Sequence, residues 1–214
     1  DPIALNYDSV PCYSDGSCIY NVTNITQNTG SNIIQNVVNL ANTGDTIIMN
    51  PGTYAENVVV NNSSIVLASK YLTTGDSTYI DLTIIDANNI GSVLTIDNSS
   101  INIDLIGFVM KNGNTSNGGG VNIVDANIVN LKKISIKSSV ASGGGGGLYW
   151  NNNNSDAFLN LNSCLIDGNS ADGGGGIFVN NLYKLEIYNS IISNNTVVYD
   201  GAGINLSNTD TSII

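Results

Sequence analysis

The chain has 214 residues, 42% of them hydrophobic, and 17 acidic residues against 6 lysines, with no Arg and no His, for a net charge of −11. So acidic a chain repels phosphate backbones, which excludes nucleic acid as an expected partner. No run approaches the ~18 apolar residues of a membrane span, so none is expected in this chain.

Residues 1 to 30 read as a separate N-terminal strand or hairpin segment. The opening DPIALNYD carries no signal-peptide pattern and reads as a mature or trimmed start. Cys12 and Cys18 bracket Tyr-Ser-Asp-Gly-Ser, and Asp15-Gly16 is a hairpin-turn pair. A disulfide closing this small loop is expected, and it implies an oxidising compartment. The rival readings are two free thiols or half of a metal site. With no His and only Cys164 besides, a zinc site lacks ligands. Neither a metal nor a cofactor is expected.

Residues 31 to 214 read as one domain. Its first segment, SNIIQNVVNLAN over 31 to 42, places Ile33, Ile34, Val37, Val38 and Leu40 at helical spacing, with Ser31 as cap and Gly44 as stop. This predicts a short amphipathic helix lying over one end of the domain. Strands are predicted at Ile47 to Met49, Val58 to Val60 and Ile65 to Leu67. Residues 69 to 79, SKYLTTGDSTY, are predicted to be a projecting polar loop.

From there a unit repeats. Leu94, Val121, Leu148, Ile177 and Ile204 are spaced 27, 27, 29 and 27 residues apart. Two positions on stand Ile96, Ile123, Trp150, Val179 and Leu206. A second column runs Ile103, Val129, Leu159, Leu185, and a third Phe108, Ile134, Cys164, followed by Met110, Ile136, Ile166, Ile192. Each unit thus holds three segments that alternate with period two, so strands with one buried face stack coil on coil. Glycine clusters at 118–120, 143–147, 173–176 and 201/203 recur in step and supply bends that a Cβ would obstruct. The predicted fold is all-β: a right-handed parallel β-helix with three short strands per coil and an N-terminal capping helix. Asn, with 36 copies, suits such bends and can stack into ladders. Asn169 and Asn195 fall in one bend column, Asn112 and Asn194 in the adjacent one. The chain ends at TSII in mid-repeat, and is expected to continue beyond residue 214 or to dock its open coil on another subunit.

The segment IIQNVVNLANTGDTIIMNPGTYAENVVV resembles the capping helix and first coil of pectin-lyase-like right-handed β-helix proteins, through Ile34-Gln35, Gly44 to Ile47, Pro51 to Tyr54 and Glu56. The later units resemble the repeats of chlamydial polymorphic outer membrane proteins, with the Gly-Gly-Gly-Ile motif at Gly174 to Ile177 and Leu165 or Ile166 at the motif's Phe position. The resemblance implies the β-helix fold. It does not select among the lyases, hydrolases, adhesins and fibres built on that fold.

The enzymes of that family rely on Arg, or on Asp with His, Arg and Lys, and this chain has neither Arg nor His. A bare carboxylate pair remains conceivable for glycoside hydrolysis, with Asp86, Asp167 and Asp172, or Asp104 and Glu186, as candidates. Each also reads as a surface or turn acid: Asp104, Asn130, Asn160 and Glu186 form one outward column. Calcium is not expected, because the glycine-rich nonapeptide repeat of calcium-binding solenoids is absent. Lys132, Lys133 and Lys137 read as a solvated face, and Cys164 as a core residue.

Tyr149 and Phe178 point outward one coil apart and are expected to stack into a contact surface for a sugar or another protein. Their column, Thr95, Asn122, Tyr149, Phe178, Asn205, lacks the regular Thr array of an ice-binding face. Nine Asn-x-Ser/Thr sites, at Asn21, Asn24, Asn61, Asn62, Asn98, Asn114, Asn153, Asn194 and Asn205, exceed the roughly six expected by chance, which weakly favours glycosylation. The expected protein is a non-enzymatic, extracellular or cell-surface structural or adhesive β-helix. It would serve as an adhesin, stalk or filament subunit meeting copies of itself, other surface proteins or glycans. The alternative is a carbohydrate-binding or carbohydrate-active β-helix of the pectin-lyase type.

Overall fold

Parallel pairing in register decides the architecture. A computed structural model describes residues 7–10, 12–23, 32–152 and 156–213. Leu94 pairs with Val121, Val121 with Leu148, Leu148 with Ile177, and Ile177 with Ile204, each one coil apart. The second column stacks as Ile103, Val129, Leu159, Leu185, and the third as Met110, Ile136, Ile166, Ile192. The chain folds as a right-handed parallel β-helix of about seven turns with three parallel sheets. Successive coils are one strand spacing apart, about 4.8 Å.

The first two coils visit three strand positions and the later ones four. The first two positions share one large sheet, which joins them because strand Ile177–Tyr188 runs unbroken through both. The third, at Val109–Lys111 and its equivalents, forms a six-stranded sheet. The fourth, Asn114–Thr115, Val140–Ala141, Ser170–Gly173 and Thr196–Asp200, forms a four-stranded sheet not foreseen as a separate element. The columns named above fill one continuous core, with Trp150, Tyr54 and Phe108 among its largest fully buried side chains.

Three bends per coil are made by left-handed residues at fixed places. Gly107, Lys133, Ser163 and Asn189 serve the first bend, and Asn112, Ser138, Gly168 and Asn194 the second. Gly118, Gly145, Gly174 and Gly201 serve the third. Beyond the second bend a ladder climbs through the coils. Asn169 Oδ1 accepts from Ser139 N–H at 3.0 Å, and Asn195 Oδ1 accepts from Asn169 N–H at 2.9 Å. Asn169 Nδ2 donates to Ile136 C=O, and Asn195 Nδ2 to Ile166 C=O. At the third bend the glycines are required by proximity: a Cβ on Gly147 would lie 2.6 Å from the Gly176 carbonyl of the next coil.

At the N-terminal end, β1 (Tyr7–Val10) and β2 (Ile19–Val22) form an antiparallel hairpin. β2 then pairs in parallel with β3 (Thr46–Met49). Buried Asp45 holds this junction, accepting from Cys18 N–H and Asn42 N–H, each at 2.7 Å. Helix α1 (Ile33–Leu40) buries Ile33, Ile34, Val37 and Val38, while Leu40, expected on the same face, is 51% exposed. The expected cap, Ser31, lies outside the described residues. The cap residue is Asn32, which makes no side-chain cap bond, and the helix N-terminus is held from elsewhere: Glu56 accepts from Ile34 N–H and Gln35 N–H, both at 3.0 Å.

The predicted loop over 69 to 79 is instead two single-turn helices, α2 (Tyr71–Thr74) and α3 (Thr78–Leu82). Gly75, at φ +71°, ends the first, and Asp76 opens the second by accepting from Thr78 N–H and Oγ–H. The excursion lies on Gly107, where a Cβ would come within 2.9 Å of the Tyr71 ring.

Candidate functional site

The outward column of the first sheet position carries the aromatic pair. Tyr149 and Phe178 are register partners, with ring centroids 5.3 Å apart and planes inclined by 16°. The rings rest on the glycine corner, since a Cβ on Gly144 would stand 2.9 Å from Tyr149 Cε2 and 3.0 Å from Phe178 Cγ. Both side chains are half-buried. Beside them opens a groove of about 280 Å³, whose other walls are Asn117, Asp172, Asp200, Asn205 and the ring of Tyr199. Tyr199 is 74% exposed.

Sequence reading found the aromatic pair, placed Asn205 in its column and named Asp172 as an acid, but did not bring Asp172, Asn117, Tyr199 and Asp200 to this groove. The signal was present. Tyr199 stands two residues before the bend glycine Gly201, as Asp172 stands two before Gly174, so both meet the glycine corner one coil apart.

The candidate carboxylates do not converge. Asp86, Lys111, Lys137 and Asp167 occupy successive coils of one column, so the two acids are three coil steps apart, about 14 Å. Asp104, Asn130, Asn160 and Glu186 are likewise successive, which gives Asp104 and Glu186 the same separation. Glycosidase pairs lie about 5 to 9.5 Å apart. Asp86, Asp167, Asp104 and Glu186 are each engaged locally. Asp86 accepts from Asn88 N–H and Asn112 Nδ2 and meets Lys111 Nζ at 3.2 Å. Burial would raise its carboxyl, but those three partners outweigh it and hold the group below the usual range. Asp167 accepts from Ser193 Oγ–H and Asn194 Nδ2, which lower its pKa. Asp104 accepts from Asn130 Nδ2 at 2.8 Å, and Glu186 pairs with Lys184 at 2.6 Å. Asp172 alone of the five lines the aromatic groove.

Cys12 and Cys18 are joined as a disulfide. Cys164 is a buried free thiol whose desolvation pushes its pKa up to about 11, which suits a core residue. Of the lysine trio, Lys133 lies over the Tyr71 ring at 5.4 Å. Among the glycosylation candidates, Asn61, Asn62, Asn114 and Asn194 are exposed, and Asn21, Asn98 and Asn205 are half-buried. Asn24 and Asn153 lie outside the described residues. Among the described residues no group of three or more His, Cys, Asp and Glu side chains is placed to hold a metal ion, and no helix is long and apolar enough to cross a membrane.

Comparison with protein-family models, with curated proteins and with solved structures finds no match to this chain.

Proposed function

We propose that this chain is a non-enzymatic structural or adhesive β-helix of an extracellular surface. It would act as an adhesin, stalk or filament subunit that meets copies of itself, other surface proteins or glycans through its sheet faces. The observation that carries this reading is the disposition of the acids. Asp86 and Asp167, like Asp104 and Glu186, stand three coils apart; Asp86, Asp104 and Asp167 are bound to the next coil, and Glu186 to Lys184 of its own strand. Carboxylates so placed serve a scaffold; Asp172 and Asp200 line one groove, and the turnover arm of the test below decides for that pair. The Cys12–Cys18 bridge and the exposed sequons suit an oxidising, secretory setting. The kinship to pectin-lyase-like and polymorphic outer membrane repeats belongs to this proposal and rests on the motifs quoted above.

The test has two arms. The chain is incubated with pectin, polygalacturonate and neutral glucans, and new reducing or unsaturated ends are measured; none is expected above a heat-denatured control. Beads coated with the chain are then scored for retention on beads bearing a second copy or a neutral-glycan glycoprotein, and retention is expected. Turnover in the first arm, or no retention on either surface, overturns the reading.

A further inference from the structure

The groove beside Tyr149 and Phe178 has a chemistry of its own. Its apolar wall is a stacked ring pair lying on glycine backbone, and its rim is an exposed tyrosine, Tyr199, that the core does not use. An aromatic face offers a pyranose the contact its C–H face prefers, and a tyrosine adds a hydroxyl. The remaining walls are hydrogen-bonding groups. Asp172 and Asp200 line the groove, and carboxylate oxygens accept from hydroxyls. Asn117 Oδ1 accepts from Gly144 N–H at 2.9 Å, which leaves its NH2 to donate. Asn205 Nδ2 donates to Asp200 C=O, which leaves its Oδ1 to accept. At about 280 Å³ the groove sits at the small end of ligand clefts, which run from about 300 Å³ upward, so one sugar ring is its natural load.

Charge selects within that class. The lining holds two carboxylates and, among the described residues, no cation, in a chain of net charge −11. A uronate would place its carboxylate beside Asp172 and Asp200 without a counter-charge. We infer that this groove is a subsite for the ring of a neutral hexopyranoside, with Tyr149, Phe178 and Tyr199 as the platform and Asp172, Asp200 and Asn117 as hydroxyl partners. The inference deepens the adhesive reading above and rests on it.

The test is saturation-transfer NMR and calorimetry on the whole chain with methyl glucopyranoside, methyl galactopyranoside and methyl galactopyranosiduronate. Saturable binding of one or both neutral glycosides is expected, with the uronate at least tenfold weaker. Tyr199→Ala, which removes a side chain outside the core, should weaken binding at least tenfold, whereas Tyr183→Ala, an exposed tyrosine outside the groove, should leave it unchanged. Asp172→Asn should narrow the discrimination against the uronate. No saturable binding of either neutral glycoside, equal binding by Tyr199→Ala, or tightest binding of the uronate overturns the inference. Should coated beads be retained while no glycoside binds, the subsite falls and the adhesive reading stands.

Discussion

The side-chain amide of Gln35 pairs with the backbone of Val59 as a neighbouring strand would: its Oε1 accepts from Val59 N–H at 2.6 Å and its Nε2 donates to Val59 C=O at 3.0 Å. Strand Val58–Val60 is the edge of the large sheet, and an unpaired edge is a template for unwanted pairing. Helix α1 brings Gln35 there, and Glu56 at the helix N-terminus holds α1 in place. Replacing Gln35 with Ala is expected to cost about 1–2 kcal/mol and to speed hydrogen exchange at the Val59 amide. An unchanged exchange rate at Val59 would show that the helix, not the amide, protects the edge.

Two carboxylates give opposite pH signatures. Burial raises the Glu56 carboxyl above its ordinary 4.5, more than the N–H groups of Gln35 and Ile34 lower it. The folded state then holds this proton to higher pH than the unfolded one. Its stabilising effect is complete below 4.5 and is lost as the pH rises through the raised folded value. Asp86 is depressed below 3.8, so its contribution is present above that value and is lost as the pH falls through the folded value. Denaturant titrations from acid to neutral pH should show Glu56→Gln removing a decline on the alkaline side and Asp86→Asn removing an acid-side loss. The reverse assignment would refute both.

Asn169 is fully buried and joins Ser139, Ile136 and Asn195. Asn169→Ala strands the Ser139 N–H, at a cost of about 1–3 kcal/mol, and removes a donor from the Ile136 carbonyl. Asn169→Ser should cost less, since Ser139 holds the same column and accepts from Gly113 N–H. A chemical melt of the two variants ranks them, and equal losses would show that the ladder contributes little.

Leu148→Asp would set an unpaired charge between Val121 and Ile177 in the filled core, at a cost of several kcal/mol. Adjacent coils share that column, so protection should be lost first around Val121 and Ile177. Uniform loss across all coils would mean that the solenoid unfolds as one unit.

The core columns were legible because every coil writes the same alternation at nearly the same period, and five equivalent positions leave little freedom of register. What the sequence hid are contacts between parts with no period. Glu56 stands 22 residues from Ile34, and no repeat marks it as a helix cap; Ser31, being local, was the obvious reading. Helices α2 and α3 are too short to write a stripe and depend on Asp76 and Gly75, which in a polar stretch read as loop. Of the groove, the aromatic pair was legible from its column, while Tyr199 and Asp172 required knowing that the glycine corner brings a neighbouring sheet alongside.

The spacing between columns records where the coil tolerates growth. In register, 6 residues run from Ile103 to Val109, from Val129 to Ser135, from Leu159 to Leu165 and from Leu185 to Ile191, but 19 from Ile65 to Ile84. The extra 13, counted as 19 less 6, are the excursion that carries α2 and α3, and the coil closes behind them without loss of register. At the glycine corner the equivalent interval is 4 from Tyr54 to Val58 and 9 from Ile85 to Leu94, and then holds at 11 or 12 in the four coils from Met110 to Ile204. In those later coils backbone rests on backbone at the glycines, so a grafted loop or fused domain there meets a packed wall, whereas the bend after the second strand has already taken in 13 residues without loss of register.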